Sequence, residues 1–194
     1  MMGRWPAFLY RDTRLCLYDF IFPGEIPPVE ARVPLRLATI GAGSPELELI
    51  ASVQGRRRVE RRLGRRELCF AALHRERVIS YIWLSQATVG IEEVDLSIEV
   101  QPDEAYLYNA FTLEAWRGRN LYPAVLRGTL EYCQKRGLSR ALIFVAEDNH
   151  PSRRGVVKAG FTLFQTITCH RVLGRSWHSY GPRLEAHPPV RLVG

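Results

Sequence analysis

The sequence predicts a mixed α/β (α+β) fold, with a mostly antiparallel central sheet and helices on both faces. Three observations carry this. A pair of helical patterns stands ahead of a hairpin of two apolar strands. A continuous apolar run, Ala141 to Ala146, suits the middle of a sheet, and an amphipathic helical stripe precedes that run while a shorter helix follows it. With 194 residues, 46% hydrophobic and 24% charged, the chain has an ordinary globular composition and enough length to bury one core. We read one domain over residues 32–194, with residues 1–31 as an N-terminal extension packed on it.

The extension is rich in proline and aromatic residues (Phe8, Tyr10, Tyr18, Phe20, Phe22, Pro23, Pro27, Pro28), and Leu15 to Phe22 within it is strand-like. A first domain strand is expected at Ala31–Thr39, then a turn at Gly41-Ala42-Gly43. Ser44 reads as a helix cap and Pro45 as the first helical residue, with Leu47, Leu49, Ile50 and Val53 keeping the helical period. An arginine-rich helix follows from Arg56 to Leu63 and stops at Gly64. Glu67–Leu73 and Val78–Leu84 are strands joined by the polar His74-Arg75-Glu76-Arg77, a hairpin pattern. Ala105–Leu113 is a further strand. Pro123–Arg136 is a helix whose apolar stripe is Val125, Leu126, Leu130 and Cys133, closed by Gly137. After the Ala141–Ala146 strand, Ser152–Ala159 forms a short helix stopped by Gly160, and Phe161–Val172 supplies one or two terminal strands.

Composition excludes several classes. The longest apolar stretches fall far below the ~20 residues of a bilayer-crossing helix. Arg4 and Trp5, then Pro6 to Tyr10, are interrupted by Arg11 and Asp12, which is too short an apolar core for an export signal. Cys16, Cys69, Cys133 and Cys169 stand far apart without paired spacing, so the reading is four free thiols, no zinc site and a cytoplasmic protein. There are 27 Lys and Arg against 20 Asp and Glu, a net charge of +7, and only Lys135 and Lys158 are lysines. Such an excess suits an anionic partner, and its placement decides which.

The block from Tyr108 to Phe161 carries the chemistry. A strand ends at Leu113 and runs through Glu114-Ala115-Trp116 into Arg117-Gly118-Arg119-Asn120-Leu121-Tyr122 and then a helix. A turn at a helix N-terminus presents unpaired backbone N–H groups and the positive end of the dipole, which suit phosphate oxygens. Arg117 and Arg119 add charged donors. About thirty residues later the next strand leads into Asn149-His150-Pro151-Ser152-Arg153-Arg154, a short helix and Lys158-Ala159-Gly160-Phe161.

This order of strand, R-G-x-x-L turn, helix, strand, N-x-x-S-R-R, helix and K-A-G-F resembles the GNAT superfamily of coenzyme A-dependent N-acyltransferases over residues 32–172. The resemblance implies acetyl-CoA, or another acyl-CoA, as co-substrate, no metal, and direct acyl transfer to a primary amine of a small molecule. It implies that Phe111, Thr112 and Leu113 pair with the pantetheine arm. The turn Arg117, Gly118, Arg119, Asn120, Leu121 and Tyr122 would hold the pyrophosphate, with Asn149 and Ser152 beside the pantetheine and Arg153 toward the phosphates of the adenosine end. Two positions depart from the family's small residues, Asn120 and Tyr122; Asn tolerates left-handed backbone, whereas Tyr122 shifts the phosphate path or weakens affinity. The family's usual tyrosine near K-x-G-F is Val156 here, and its strand glutamate is Phe144. Among Tyr108, Glu99, Glu147 and His150, the preferred catalytic residue is Tyr108, then Glu147.

The acceptor site of such a fold would draw on Arg56, Arg57, Arg58, Arg61, Arg62, Arg65 and Arg66, on Trp83 and Tyr106, and on Trp177 to Tyr180, which suits an acidic acceptor. A non-catalytic protein of the same fold, contacting nucleic acid or an anionic partner through the basic helix, is the alternative. Nucleic acid is disfavoured because no base-reading motif is present. No membrane partner is expected, and homodimers are frequent in folds resembling this one.

Overall fold

Every residue from Leu15 to Tyr18 is buried, so a strand built from them needs cover on both faces. The computed structural model, which describes residues 10–194, provides that cover. In chain order the elements are β1 (Tyr10–Ile21), β2 (Arg36–Ile40), α1 (Leu47–Gln54), α2 (Arg56–Gly64), β3 (Leu68–His74), β4 (Arg77–Ser85), β5 (Val89–Ile91), β6 (Leu96–Glu99), β7 (Glu104–Thr112), α3 (Leu121–Lys135), β8 (Arg140–Ala146), α4 (His150–Lys158), β9 (Thr162–Val172), β10 (Arg175–Tyr180) and β11 (Arg191–Val193). Eight strands form the main sheet in the order β10-β9-β1-β8-β7-β4-β3-β2. Neighbours run antiparallel except β7 and β8, which pair in parallel from Glu104 and Arg140 to Leu107 and Ile143.

One face of this sheet is covered by α3 and α4, through Leu107, Leu126, Leu130, Val145 and Val156. The opposite face is divided. Under α1 and α2 lie Ile50, Val59, Tyr81 and Trp83. Beside them a small antiparallel sheet, β11-β6-β5, packs Val89 and Ile98 against Leu142 and Phe164. A buried ion network crosses the strand ends: Arg140 meets Asp19 at 2.8 Å and Glu104 at 3.3 Å, and His187 Nδ1 lies 2.7 Å from the other Asp19 oxygen.

Several expectations change. Within the expected extension, residues 10–21 form a strand inside the main sheet, hydrogen-bonded to β8 on one side and β9 on the other; residues 1–9, with the reading that they carry no export signal, lie outside the described residues. The strand expected at Ala31–Thr39 begins only at Arg36, after Pro34 has removed a ladder donor. Ser44 does not cap α1. Its carbonyl accepts from Leu47 N–H in a turn, and α1 starts at Leu47. Strands β5, β6, β10 and β11 were not anticipated. The hairpin is formed by β3 and β4, with Arg75 and Glu76 both at positive φ as a two-residue loop requires. All four cysteines are buried and free. Among the described residues, no helix is long and apolar enough to cross a membrane, and no three metal-ligating side chains cluster.

Candidate active site

The parallel ladder between β7 and β8 ends at Leu107 and Ile143. Just beyond it Asn109 takes φ 52°, and the pairing of β7 with β4 shifts register between Tyr81 and Trp83. This bulge bends β7 toward β4 while β8 continues to Ala146, so two adjacent strands splay apart. A cleft of about 730 Å³ opens at the split. Phe111 and Thr112 form one wall, Asn149, Ser152 and Gly155 the other, and the turn before α3 the floor.

That turn is shaped for an anion. Gly118 stands at φ 75° and Asn120 at φ 58°. Among the described residues, the N–H groups of Gly118, Arg119, Asn120, Leu121 and Tyr122 donate no hydrogen bond, and Pro123 has none to give. Five unpaired donors therefore stand at the start of a 15-residue helix, where its dipole is positive. The loop before β2 braces the turn from behind: Asn120 Nδ2 donates to Glu30 O at 3.2 Å, and Arg32 N–H donates to Arg119 O at 2.9 Å.

Of the residues expected to hold the cofactor, Phe111, Thr112, Arg117, Gly118, Asn120, Leu121, Tyr122, Asn149 and Ser152 line the cleft. Asn149 Oδ1 accepts from Ser152 N–H at 3.2 Å and caps α4. Tyr122 does not obstruct the turn. Its ring leans on α4, where a Cβ on Gly155 would come within 2.6 Å of it. Three residues fall outside the cleft. Leu113 spends its N–H on Ile79 O and packs against the core. Arg119 turns back over the Trp116 ring at 4.9 Å. Arg153 donates to Tyr18 Oη at 3.1 Å and to Glu147 O at 3.0 Å, and lines a separate hollow with His150, Arg154 and Lys158. Arg154 and Lys158 reach the cleft instead. Helix phase is the signal: with Asn149 as cap, Pro151, Arg154, Gly155 and Lys158 share one stripe, and Arg153 points about 100° away from Arg154.

The catalytic candidates also separate. Glu147 lies outside the cleft, at 3.1 Å from Arg14, and is a strand-end ion pair. Glu99 stands opposite Arg191 in the β6–β11 ladder of the small sheet. Tyr108, immediately before the bulge, is on the face covered by α1 and α2, where its hydroxyl donates to Glu67 Oε2 at 2.5 Å. The Arg62 guanidinium lies 4.9 Å from the Tyr108 ring and 5.1 Å from the Trp83 ring, and bonds Gln54. Burial, then the Glu67 hydrogen bond, pushes the Tyr108 hydroxyl pKa upward. Like Glu147, Tyr108 does not line the cleft, and its hydroxyl is committed to Glu67. Burial also raises the Glu67 carboxyl, partly offset by Tyr108 and Arg62. Glu67, which the sequence places at the start of a strand, is 4% exposed and so a buried acid. Of the acceptor candidates, Trp83 and Tyr106 are core residues, Trp177 and Tyr180 are exposed, and Arg62 alone of the arginine cluster is buried.

A family model described as the acetyltransferase (GNAT) family matches residues 44–161. No curated protein matches the chain. Among solved structures, a GCN5-related N-acetyltransferase from Sphaerobacter thermophilus superposes with TM-score 0.63 at 13% identity, over 87% of this chain and 55% of that one. A GNAT-family acetyltransferase from Colwellia psychrerythraea gives 0.55 at 15%, over 84% and 55%. An acetyltransferase from Bacillus subtilis, solved in complex with CoA, gives 0.52 at 18%, over 69% and 80%. The chain spans just over half of the first two proteins, and at these identities the likeness is one of fold.

Proposed function

Because the chain belongs to the GNAT acetyltransferase family, we propose that it transfers an acetyl or other acyl group from coenzyme A to a primary amine of a small molecule. The observation that carries this reading is the split between β7 and β8, with the turn of unpaired N–H groups before α3 at its base. An extended thioester arm fits such a split, because the free edge of Phe111 and Thr112 offers ladder hydrogen bonds to its amides. The pyrophosphate then meets the turn before α3, with Arg117, Arg154 and Lys158 as charged donors. The hollow of Arg153, Arg154 and Lys158 suits the phosphate at the adenosine end.

In the transfer, the amine nitrogen attacks the thioester carbonyl, the N–C bond forms, the C–S bond breaks to release coenzyme A as its thiolate, and the amine sheds a proton. Tyr108 and Glu67 can take that proton as a relay: the hydroxyl oxygen receives it while passing its own proton to the carboxylate, 2.5 Å away. A carboxyl raised by burial is a better acceptor at neutral pH than an exposed one. The exposed arginines of α2 would draw an acidic acceptor to this side of the sheet.

Calorimetric titration with acetyl-CoA tests the reading. We expect saturable binding that Arg117→Ala weakens by about 1–3 kcal/mol, the scale of a hydrogen bond to a charged group. Absence of binding at millimolar acetyl-CoA rejects the proposal for acetyl donors.

A further inference from the structure

At the far end of the main sheet, beyond the reach of α4, three side chains from three strands meet. Asp12 stands opposite His170 in the β1–β9 ladder, and Trp177 stands opposite His170 in the β9–β10 ladder. Leu15, Leu17, Ile167 and Cys169 point into the core on the other face. By alternation, Tyr10, Asp12, His170, Trp177 and Ser179 therefore share the uncovered face. His170 Nδ1 lies 3.0 Å from Asp12 Oδ1, and His170 Nε2 lies 2.9 Å from Ser179 Oγ. Tyr10 Oη donates to the second Asp12 oxygen at 2.6 Å, and the Trp177 ring stacks on the imidazole with centroids 5.5 Å apart and planes 20° apart.

From this geometry we propose that Asp12, His170 and Ser179 form a second, nucleophilic site that cleaves activated carboxylic esters through an acyl-serine intermediate. Each part has a defined role. Asp12, fixed by Tyr10, accepts from Nδ1–H and sets the tautomer, so that Nε2 is the free base facing Ser179 Oγ. Nucleophile, base and orienting carboxylate stand at the mutual distances such a chain requires.

The sheet edge supplies an oxyanion donor. Val172 and Arg175 flank the two-residue loop Leu173-Gly174, both at positive φ, and so form a hydrogen-bonded pair. Counting outward, the pairs of His170 with Trp177 and of Thr168 with Ser179 are hydrogen-bonded too, and Gly181 N–H donates to Thr166 O in step. The Tyr180 N–H therefore points away from β9 to the open edge. It belongs to the residue after the nucleophile, a position from which a backbone N–H can bind the oxygen of an acyl group under attack. Trp177, 50% exposed, offers an apolar platform for an aryl or short acyl group.

In the first step the Ser179 Oγ–carbon bond forms, the serine proton passes to His170 Nε2, and the carbon–oxygen bond of the ester breaks. The leaving alkoxide takes the proton from Nε2. Water then attacks the acyl-serine, giving its proton through Nε2 back to Oγ and releasing the carboxylic acid. No cofactor takes part, and the site is independent of coenzyme A.

The full chain should be treated with an alkyl fluorophosphonate and the modified peptide identified by mass spectrometry. We expect stoichiometric labelling at Ser179, abolished in Ser179→Ala and unchanged in Ser176→Ala. His170→Gln should slow labelling by roughly 100-fold or more, the scale of general-base assistance. Asp12→Asn, which spoils the tautomer and leaves the serine in place, should slow it by at least about tenfold. Labelling at another residue, no labelling, or a rate at Ser179 indifferent to His170→Gln overturns the proposal. Because the Asp12, His170 and Ser179 side chains lie on the uncovered face of the sheet, with only His170 half-buried, circular dichroism of their variants should match the parent; acetyl-CoA titration of Ser179→Ala should also match, whatever its value.

Discussion

Glu67 and Tyr108 hold one proton arrangement between them. Glu67→Gln should lower kcat by roughly tenfold or more if the pair serves as the proton acceptor, and should remove the acid limb of the rate profile, while acetyl-CoA affinity stays unchanged. Tyr108→Phe should do the same; turnover that survives both substitutions removes the pair from the mechanism. The raised carboxyl also has a stability signature. Between the value for a free glutamate, ~4.3, and its own higher value, the folded protein binds more protons than the unfolded chain, so the Glu67 contribution falls as pH rises through that window. Melting temperature against pH should lose this component in Glu67→Gln. Gly155 makes a separate point. A methyl there meets the Tyr122 ring at 2.6 Å, so Gly155→Ala should cost about 1–3 kcal/mol of stability. Urea denaturation of the double variant with Tyr122→Leu should show a clearly smaller cost. Tyr108 was legible as a candidate from its strand. Glu67, 41 positions earlier, was not, because only the lateral packing of β3, β4 and β7 brings the two together.

At the scale of elements, the cleft depends on how two helices begin and one strand bends. The cap of α4 is a single side chain, and Asn149→Ala should cost about 1 kcal/mol in urea denaturation and weaken acetyl-CoA binding, since the same helix turn forms the cleft wall. Both helices were readable, but the sequence pattern puts their starts two residues late, at Pro123 and Ser152 instead of Leu121 and His150, because Asn149 reads as a ligand contact and not as the cap of α4. Which arginine reaches the cleft was not, because it depends on the phase of α4 against the sheet; a neighbour in sequence lies a quarter-turn or more away on a helix. The bulge at Asn109 was equally hidden. It exists only as a register shift against β4, and nothing local in Tyr108-Asn109-Ala110 requires it. Strands β5 and β6, of three and four residues, are too short to show a period, and they become strands by pairing with each other and with β11.

Across the whole molecule, β1 closes the sheet between β8 and β9, and the ion network at its end joins Asp19 to Arg140, Glu104 and His187. Arg140 is 2% exposed and faces two carboxylates. Arg140→Ala removes the cation from both, leaving Glu104 without it and Asp19 with His187 alone, and the expected cost is about 3–5 kcal/mol, measured as the shift in urea unfolding; a change below 1 kcal/mol would show the network to be dispensable. The net charge of +7 likewise divides by place. Arg117, Arg154 and Lys158 line the cleft, Arg140 is structural, and most of the α2 arginines face solvent. By itself, the sequence determined the class of fold, the helices and hairpin, the phosphate-shaped turn and the family, since each of these is written in local periodicity, capping residues or a short motif. Only the tertiary structure decided that the N-terminal strand is internal, that β7 and β8 part, and which acids and cations face the split. Those properties follow from strand order and register, which are set by burial across the whole sheet and not by any one stretch of chain.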